Sequence, residues 1–422
     1  MNKVQSERLD RARQATEKGD LAAAESAYRE ILSQDAGTNE KGIEEQEVAL
    51  NELGRLYKDH GKANELAQLI RTSRSVMGGF AKSKTAKIIR NLIDLIAQIP
   101  DTLDIQIATT KDSIEWAVAE NRNFLRQSLE TRLIGLYLQK TSYNDAITLI
   151  NKLLKELKRL DDKLMLVEVQ LLEAKVYHAL RNIPKSRASL TSARTSANAV
   201  YCPPPLQAAL EKMSGILQSE DKDYKTAYSY FYEAFEGYDG LNDKKEAITV
   251  LKYLLLSKIM LNLADDVNQL LTHKTVQKYA SRDLEAMRAI ATAHSNRSLK
   301  EFEAALDNYK SELSQDKFIR SHFSALYDAL LEQNLVKVIE PFSCVEIAHV
   351  ADLIGLDTRQ IEGKLSQMIL DKVFYGVIDQ GSGWLFVYDE PTSDKTYELA
   401  LDTIKHMSTA VDLLYEKAAA LN

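Results

Sequence analysis

The stretch Pro341–Glu390, PFSCVEIAHVADLIGLDTRQIEGKLSQMILDKVFYGVIDQGSGWLFVYDE, decides how the end of this chain folds. Ser343 and Glu346 have the S-x-x-E spacing of a capping box, in which each side chain satisfies a free amide at a helix start. Val345, Ile347, Val350 and Ile354 follow as an apolar helical stripe, and Gly355 supplies a C-terminal stop. Asp357 and Gln360 repeat the capping pattern ahead of Ile361, Leu365, Met368 and Ile369, a second core-facing helix. After Lys372 the period falls to two. Val373–Gln380 and Trp384–Tyr388 are rich in β-branched and aromatic residues and flank Gly381-Ser382-Gly383, which predicts a two-stranded hairpin. With a preceding helix at about Phe318–Val338, the order is that of a winged helix.

Charge decides what such a module can grip. A DNA-reading helix needs phosphate-neutralising cations around it. Lys317–Glu390 holds six lysines and arginines against eleven carboxylates, a net of −5. Arg359 and Lys364 on the second helix are offset by Asp357 and Glu362, and the wing adds Asp379, Asp389 and Glu390. The expected use is protein docking, with a nucleic-acid-binding adaptor as the rival reading. Alternate members of Tyr375, Val377, Trp384, Phe386 and Tyr388 should face the helices as core, and the outer strand leaves an edge free for a neighbour.

Working outward, the preceding three-quarters of the chain is periodic. The form apolar-x-x-small-x-x-x-apolar recurs at Leu21/Ala24/Tyr28, Tyr143/Ala146/Ile150, Ile183/Ser186/Leu190, Tyr224/Ala227/Phe231 and Phe302/Ala305/Tyr309. Weaker copies begin at Ala63, Leu103 and Leu263, and the steps between first residues are 42, 40, 40, 40, 41, 39 and 39. Such a period accommodates one antiparallel helix pair, and the small residue lets a neighbouring helix approach. The expectation is a right-handed, tetratricopeptide-like α-solenoid. Turns are expected at Lys18-Gly19-Asp20, His60-Gly61-Lys62, Pro100-Asp101, Thr141-Ser142, Asn182 with Pro184, and Asp221-Lys222-Asp223. Cys202-Pro203-Pro204-Pro205 is expected to break helix between two hairpins, and Asp35–Glu45 to form a loose loop.

Beyond the wing, Asp394–Leu421 reads as one long helix. Tyr397, Leu401, Ile404, Val411, Leu414 and Ala418 form its stripe, with Ala400, Met407 and Leu421 beside it. An amphipathic helix of this length at a chain end wants partner helices; the alternative is that it folds back on its own solenoid. The organisation is thus a helical-repeat solenoid over 1–316, a winged helix over 317–390 and a C-terminal assembly helix over 391–422.

The rest of the sequence narrows function by elimination. The formal charge of −7 favours solubility without naming a ligand. Two distant cysteines, Cys202 and Cys344, fit a reducing compartment, and Met1–Gln14 has no apolar core for a signal peptide. The expected location is cytoplasm and nucleus. Gly78–Thr85 (GGFAKSKT) faintly resembles a phosphate loop but lacks the preceding strand that aims amides at phosphate. Arg71, Arg74, Lys82, Lys84, Lys87 and Arg90 make a basic patch there, either a solvated helix face or a docking surface for an acidic protein. No histidine stands at metal spacing from another, and no nucleophile–base set is visible, so neither an enzyme nor a cofactor or metal site is expected.

Solenoid, acidic winged helix and terminal helix together resemble the PCI domain of the proteasome lid, the COP signalosome and a translation initiation factor. FAKSKT (Phe80–Thr85), SLTSARTSAN (Ser189–Asn198), MSGIL (Met213–Leu217), LKYLLLSKIMLNL (Leu251–Leu263), EGKLSQMILDKVFYGVIDQG (Glu362–Gly381) and DKTYELAL (Asp394–Leu401) look like the lid family of the eleventh non-ATPase regulatory subunit. That resemblance implies a scaffold without catalytic residues. Its winged helix would join those of other lid PCI subunits edge to edge, and its terminal helix would enter a bundle. Its solenoid would reach the ATPase ring and the core particle's outer ring. Isopeptidase activity would belong to a different, metal-bearing lid subunit. A signalosome scaffold is the weaker match.

Overall fold

The computed structural model describes residues 7–17, 21–33, 40–76, 82–314, 316–389 and 395–419. The chain divides into two compact units, Met1–Glu246 and Ala247–Asn422.

The first unit is a succession of helical hairpins: α1 (Glu7–Glu17) with α2 (Leu21–Ser33), α3 (Glu40–Asp59) with α4 (Ala63–Val76), α5 (Lys82–Ala97) with α6 (Leu103–Ala119), α7 (Asn123–Gln139) with α8 (Tyr143–Leu160), α9 (Lys163–Ala179) with α10 (Ile183–Asn198), and α11 (Pro204–Glu220) with α12 (Tyr224–Leu241). The repeat anchors Leu21, Ala63, Leu103, Tyr143, Ile183 and Tyr224 are each the first residue of a hairpin's second helix. The small residue three positions on is sealed: Ala24, Ala146, Ser186 and Ala227 have no exposed surface. Ser186 meets the cost of a buried hydroxyl by donating to the Ala174 carbonyl at 2.7 Å. Close approach is tightest between α11 and α12, where a Cβ added at Gly215 would lie 2.6 Å from the Phe231 ring.

The period is also written in the backbone. Gly61, Asp101, Asn121, Thr141, Asp161, Arg181, Lys222, Asn242 and Asn262 all have positive φ, falling at steps of 20 or about 40 residues, so the described helices end repeatedly in one left-handed residue. Ion pairs tie several hairpins to the next: Arg13 to Glu52, 39 residues on, Arg71 to Asp112, 41 on, and Arg181 to Glu220, 39 on. At the triple proline the positive-φ residue is replaced by an extended Pro203 capping α11, with Pro204 and Pro205 in that helix's first turn. The break therefore precedes Pro204: the first-turn amides that proline lacks would have no helical partner anyway. Glu40–Glu45, expected as loop, is the start of α3, while 35–39 and the turn Lys18-Gly19-Asp20 lie outside the described residues.

Between the units, α13 (Lys244–Met260) carries the chain onward to α14 (Ala264–Thr272), α15 (Lys274–Gln277), α16 (Arg282–Ser295), α17 (Leu299–Asn308), α18 (Lys310–Ser314) and the long α19 (Lys317–Ile339). Tyr253 on α13 donates to Asp316 at 2.6 Å, and its ring lies 4.5 Å from that of Phe318. There follow β1 (Cys344–Glu346), α20 (Ile347–Ile354), α21 (Thr358–Leu370), β2 (Tyr375–Asp379), β3 (Trp384–Tyr388) and α22 (Lys395–Ala419). This is a helical solenoid followed by a winged helix, as the periodicity predicts.

Two details differ. The sheet has three strands in the order β1-β3-β2, so β3 is central. Ser343 and Glu346 form no capping box, because that segment is drawn into the sheet. The Val387 amide donates to the Ser343 carbonyl at 2.9 Å, and the first helical amide, of Ile347, donates to Gly383 O at 2.9 Å. The wing backbone supplies the cap, and the Glu346 side chain makes no cap bond. Asp357 likewise precedes α21 without a side-chain cap. Gly355 ends α20 at φ +85°, as expected.

Candidate assembly surfaces

Residues directly opposite in an antiparallel pair point to the same side of the sheet, so the register fixes the wing's faces. Tyr375 pairs with Tyr388, Val377 with Phe386 and Asp379 with Trp384, while Cys344 and Glu346 of β1 pair with Phe386 and Trp384. All five predicted wing residues therefore share one face. Trp384, Phe386, Tyr388 and Val377 are exposed, Tyr388 by 57%, and Tyr375 is half-buried. The expectation that half of them enter the core is overturned. The intervening positions do that: Leu385 is fully buried opposite buried Val345, joined by half-buried Val387 and Ile378. β3 is central, so β1 and β2 are both edge strands, and at five residues β2 offers a longer outer edge than the three of β1.

The turn that presents this face is held by Asp379. Its carboxylate accepts from the Gly381 amide at 3.0 Å and the Ser382 hydroxyl at 2.5 Å. The bonds from the Ser382 side chain and backbone, and from Gly381, hold the carboxyl below the usual aspartate range. Gly383, at φ +75°, lets the chain reverse into β3.

On α22, the predicted contact residues Tyr397, Leu401, Ile404, Val411 and Leu414 are all exposed, Tyr397 by 74% and Leu414 by 67%. Every described side chain from Thr396 to Ala419 is exposed. Leu399 and Leu413, off the predicted stripe, are exposed as well. Burying several such side chains is worth about 1.5–3 kcal/mol each before association costs.

The groove-reading alternative loses its lysine. Lys364 on α21 is paired with Glu332 of α19 at 2.8 Å, leaving Arg359 among acids. At the supposed phosphate loop, α4 precedes and Lys82–Thr85 open α5, so no strand aims amides there; 77–81 lie outside the described residues.

Helical repeats leading into a winged helix with an open strand edge and a free terminal helix define a PCI-domain scaffold. Comparison with known proteins agrees element by element. The profile of the 26S proteasome regulatory subunit RPN6 N-terminal domain matches residues 5–140, the PCI domain matches 306–389, and the RPN6 C-terminal helix domain matches 393–419. The chain is 59% identical over 414 residues to the probable 26S proteasome regulatory subunit rpn6 of Schizosaccharomyces pombe, covering 98% of each. It is 52% identical to the regulatory subunit RPN6 of Saccharomyces cerevisiae, again over 98% of each, and 48% identical to the non-ATPase regulatory subunit 11 homolog of Arabidopsis thaliana over 92% of each. The chain belongs to the 26S proteasome regulatory subunit RPN6 family.

Proposed function

We propose that this chain is a non-catalytic scaffold subunit of the lid of the 26S proteasome regulatory particle, bridging lid, ATPase base and core particle in ubiquitin-dependent protein degradation. The observation that carries this reading is α22, whose apolar stripe is exposed along its described length. An isolated amphipathic helix with nothing to cover it gains its stability from partner helices. The wing face and the free edge of β2 suit lateral pairing with the winged helices of other lid subunits. The solenoid would supply reach toward the ATPase ring and the core particle's outer ring, in cytoplasm and nucleus. The names of the relatives favour the regulatory particle over the signalosome.

The test removes residues 394–422. The truncated chain should lose only the helical signal of α22 and keep its melting temperature, yet fail to co-purify with other lid subunits. Incorporation at unchanged affinity sinks the role given to α22.

A further inference from the structure

The described cations on α4, α5 and the start of α7 are of two kinds. Arg71 is paired with Asp112, Lys84 with Glu47 at 3.7 Å, and, nearby, Arg126 with Glu156 and Arg132 with Asp94. Arg74, Arg90 and Arg122 have no carboxylate at ion-pair distance among the described residues. They lie on aromatic rings instead. The guanidinium carbons of Arg74 and Arg122 stand 5.9 and 4.7 Å from the centroid of the same indole, Trp116, and Arg90 stands 5.5 Å from that of Phe124. Arg122 is the N-cap of α7 and Phe124 its second residue, so the two stacks adjoin. The positive φ of Asn121, 53°, is the backbone reversal that delivers Arg122 to Trp116.

The interior side of each stack is unsatisfied. Nε of Arg74, Arg90 and Arg122, and Nη1 of Arg122, are shut from solvent without a hydrogen-bond partner. Arg74 keeps a single long bond, from Nη2 to Ser113 at 3.3 Å. Burial lowers its affinity for its proton, the mark of a cation desolvated without full return. A ring face compensates a guanidinium only in part, so the outward N–H groups that are not shut in remain available to a ligand. All three residues are half-buried, so part of each remains at the surface.

We propose that Arg74, Arg90 and Arg122, presented on Trp116 and Phe124, form a receptor for the carboxylates of an acidic segment of a partner protein. Charge complementarity selects that occupant. Asp112 and Glu115 act on Arg74 electrostatically. Together with the chain's formal −7 they would repel a continuous polyphosphate, whereas spaced carboxylates can meet the outward guanidinium N–H groups singly. Phe124, 59% exposed, offers an apolar contact beside them. These residues belong to other elements than α22 and the wing, and the proposal stands or falls independently of the role proposed for them.

The chain holds two tryptophans, so Trp384→Phe leaves Trp116 as the sole indole reporter in the full-length protein. Titration with a short peptide of alternating glutamate and alanine should shift Trp116 emission saturably. The same peptide with lysine for glutamate should not. Arg74→Gln with Arg122→Gln should weaken binding at least about tenfold, with the far-ultraviolet melting curve unchanged. Arg71→Gln, removing a cation already paired, should leave it unaltered. No saturable response, an unweakened double variant, or a short DNA duplex that competes as well as the acidic peptide each overturns the proposal.

Discussion

α12 and α22 are composed to the same rule, each a long amphipathic helix with aromatic and aliphatic side chains along one side. In α12 the stripe Ala227, Phe231, Ala234, Phe235 and Tyr238 is buried; in α22 the stripe Tyr397, Leu401, Ile404, Val411 and Leu414 is bare. What differs is the neighbour. α12 follows α11 through a tight turn and meets Gly215, whose missing Cβ makes room for Phe231. α22 follows the wing, and its described side chains from Thr396 to Ala419 are all exposed. The same hydrophobic pattern therefore stabilises the chain in one place and is left for another chain in the other.

That contrast can be broken most sharply at its two centres. Phe231→Ala should cost about 3–5 kcal/mol in chemical denaturation of the isolated chain. Ile404→Ser should change it by no more than about 0.5 kcal/mol while reducing capture of partner subunits. An Ile404 variant that destabilises the isolated chain as Phe231 does would mean that α22 is covered from within, and the distinction would vanish. A smaller effect tests the α11–α12 contact alone. Gly215→Ala should cost about 1–3 kcal/mol, because the ring must move, with partner capture retained. Least of all is the turn series. Thr141 holds φ +65°, a conformation that β-branched residues resist. Thr141→Gly should raise stability by about 0.5–1 kcal/mol, the relief of left-handed strain less glycine's added chain entropy. A destabilised variant would show that the Thr141 hydroxyl, donating to the Lys140 carbonyl at 2.6 Å, matters more than the backbone.

Legibility followed the length of the signal. The repeat could be located from Ala24, Ala146 and Ala227 because each helix pair is long and the close approach recurs. Gly61, Asp101, Thr141 and Lys222 fall inside the expected turns, whereas Asn121, Asp161 and Asn242 close the second helix of a pair, where neither glycine nor proline marks the reversal. β1 was hidden for a different reason. Three residues carry no period, and Ser343 and Glu346 matched a local helix start until the wing claimed their backbone. In the docking patch, Arg74 and Arg90 stood out as charge, but Trp116, Arg122 and Phe124 did not. Cation–ring stacking joins residues some 30–50 positions apart with no spacing rule.

The sequence by itself determined the helical period, the winged-helix order, the acidic character of that module and the amphipathicity of the last helix. Those are properties of local spacing and composition, and local backbone geometry translates them directly. Only the tertiary structure decided which wing face is bare, which strand is central in the sheet, which cations are already paired and that the described side chains of α22 are exposed. Each of those depends on what stands opposite a residue in space, and a pattern along the chain is the same whether its apolar side meets a neighbour or water.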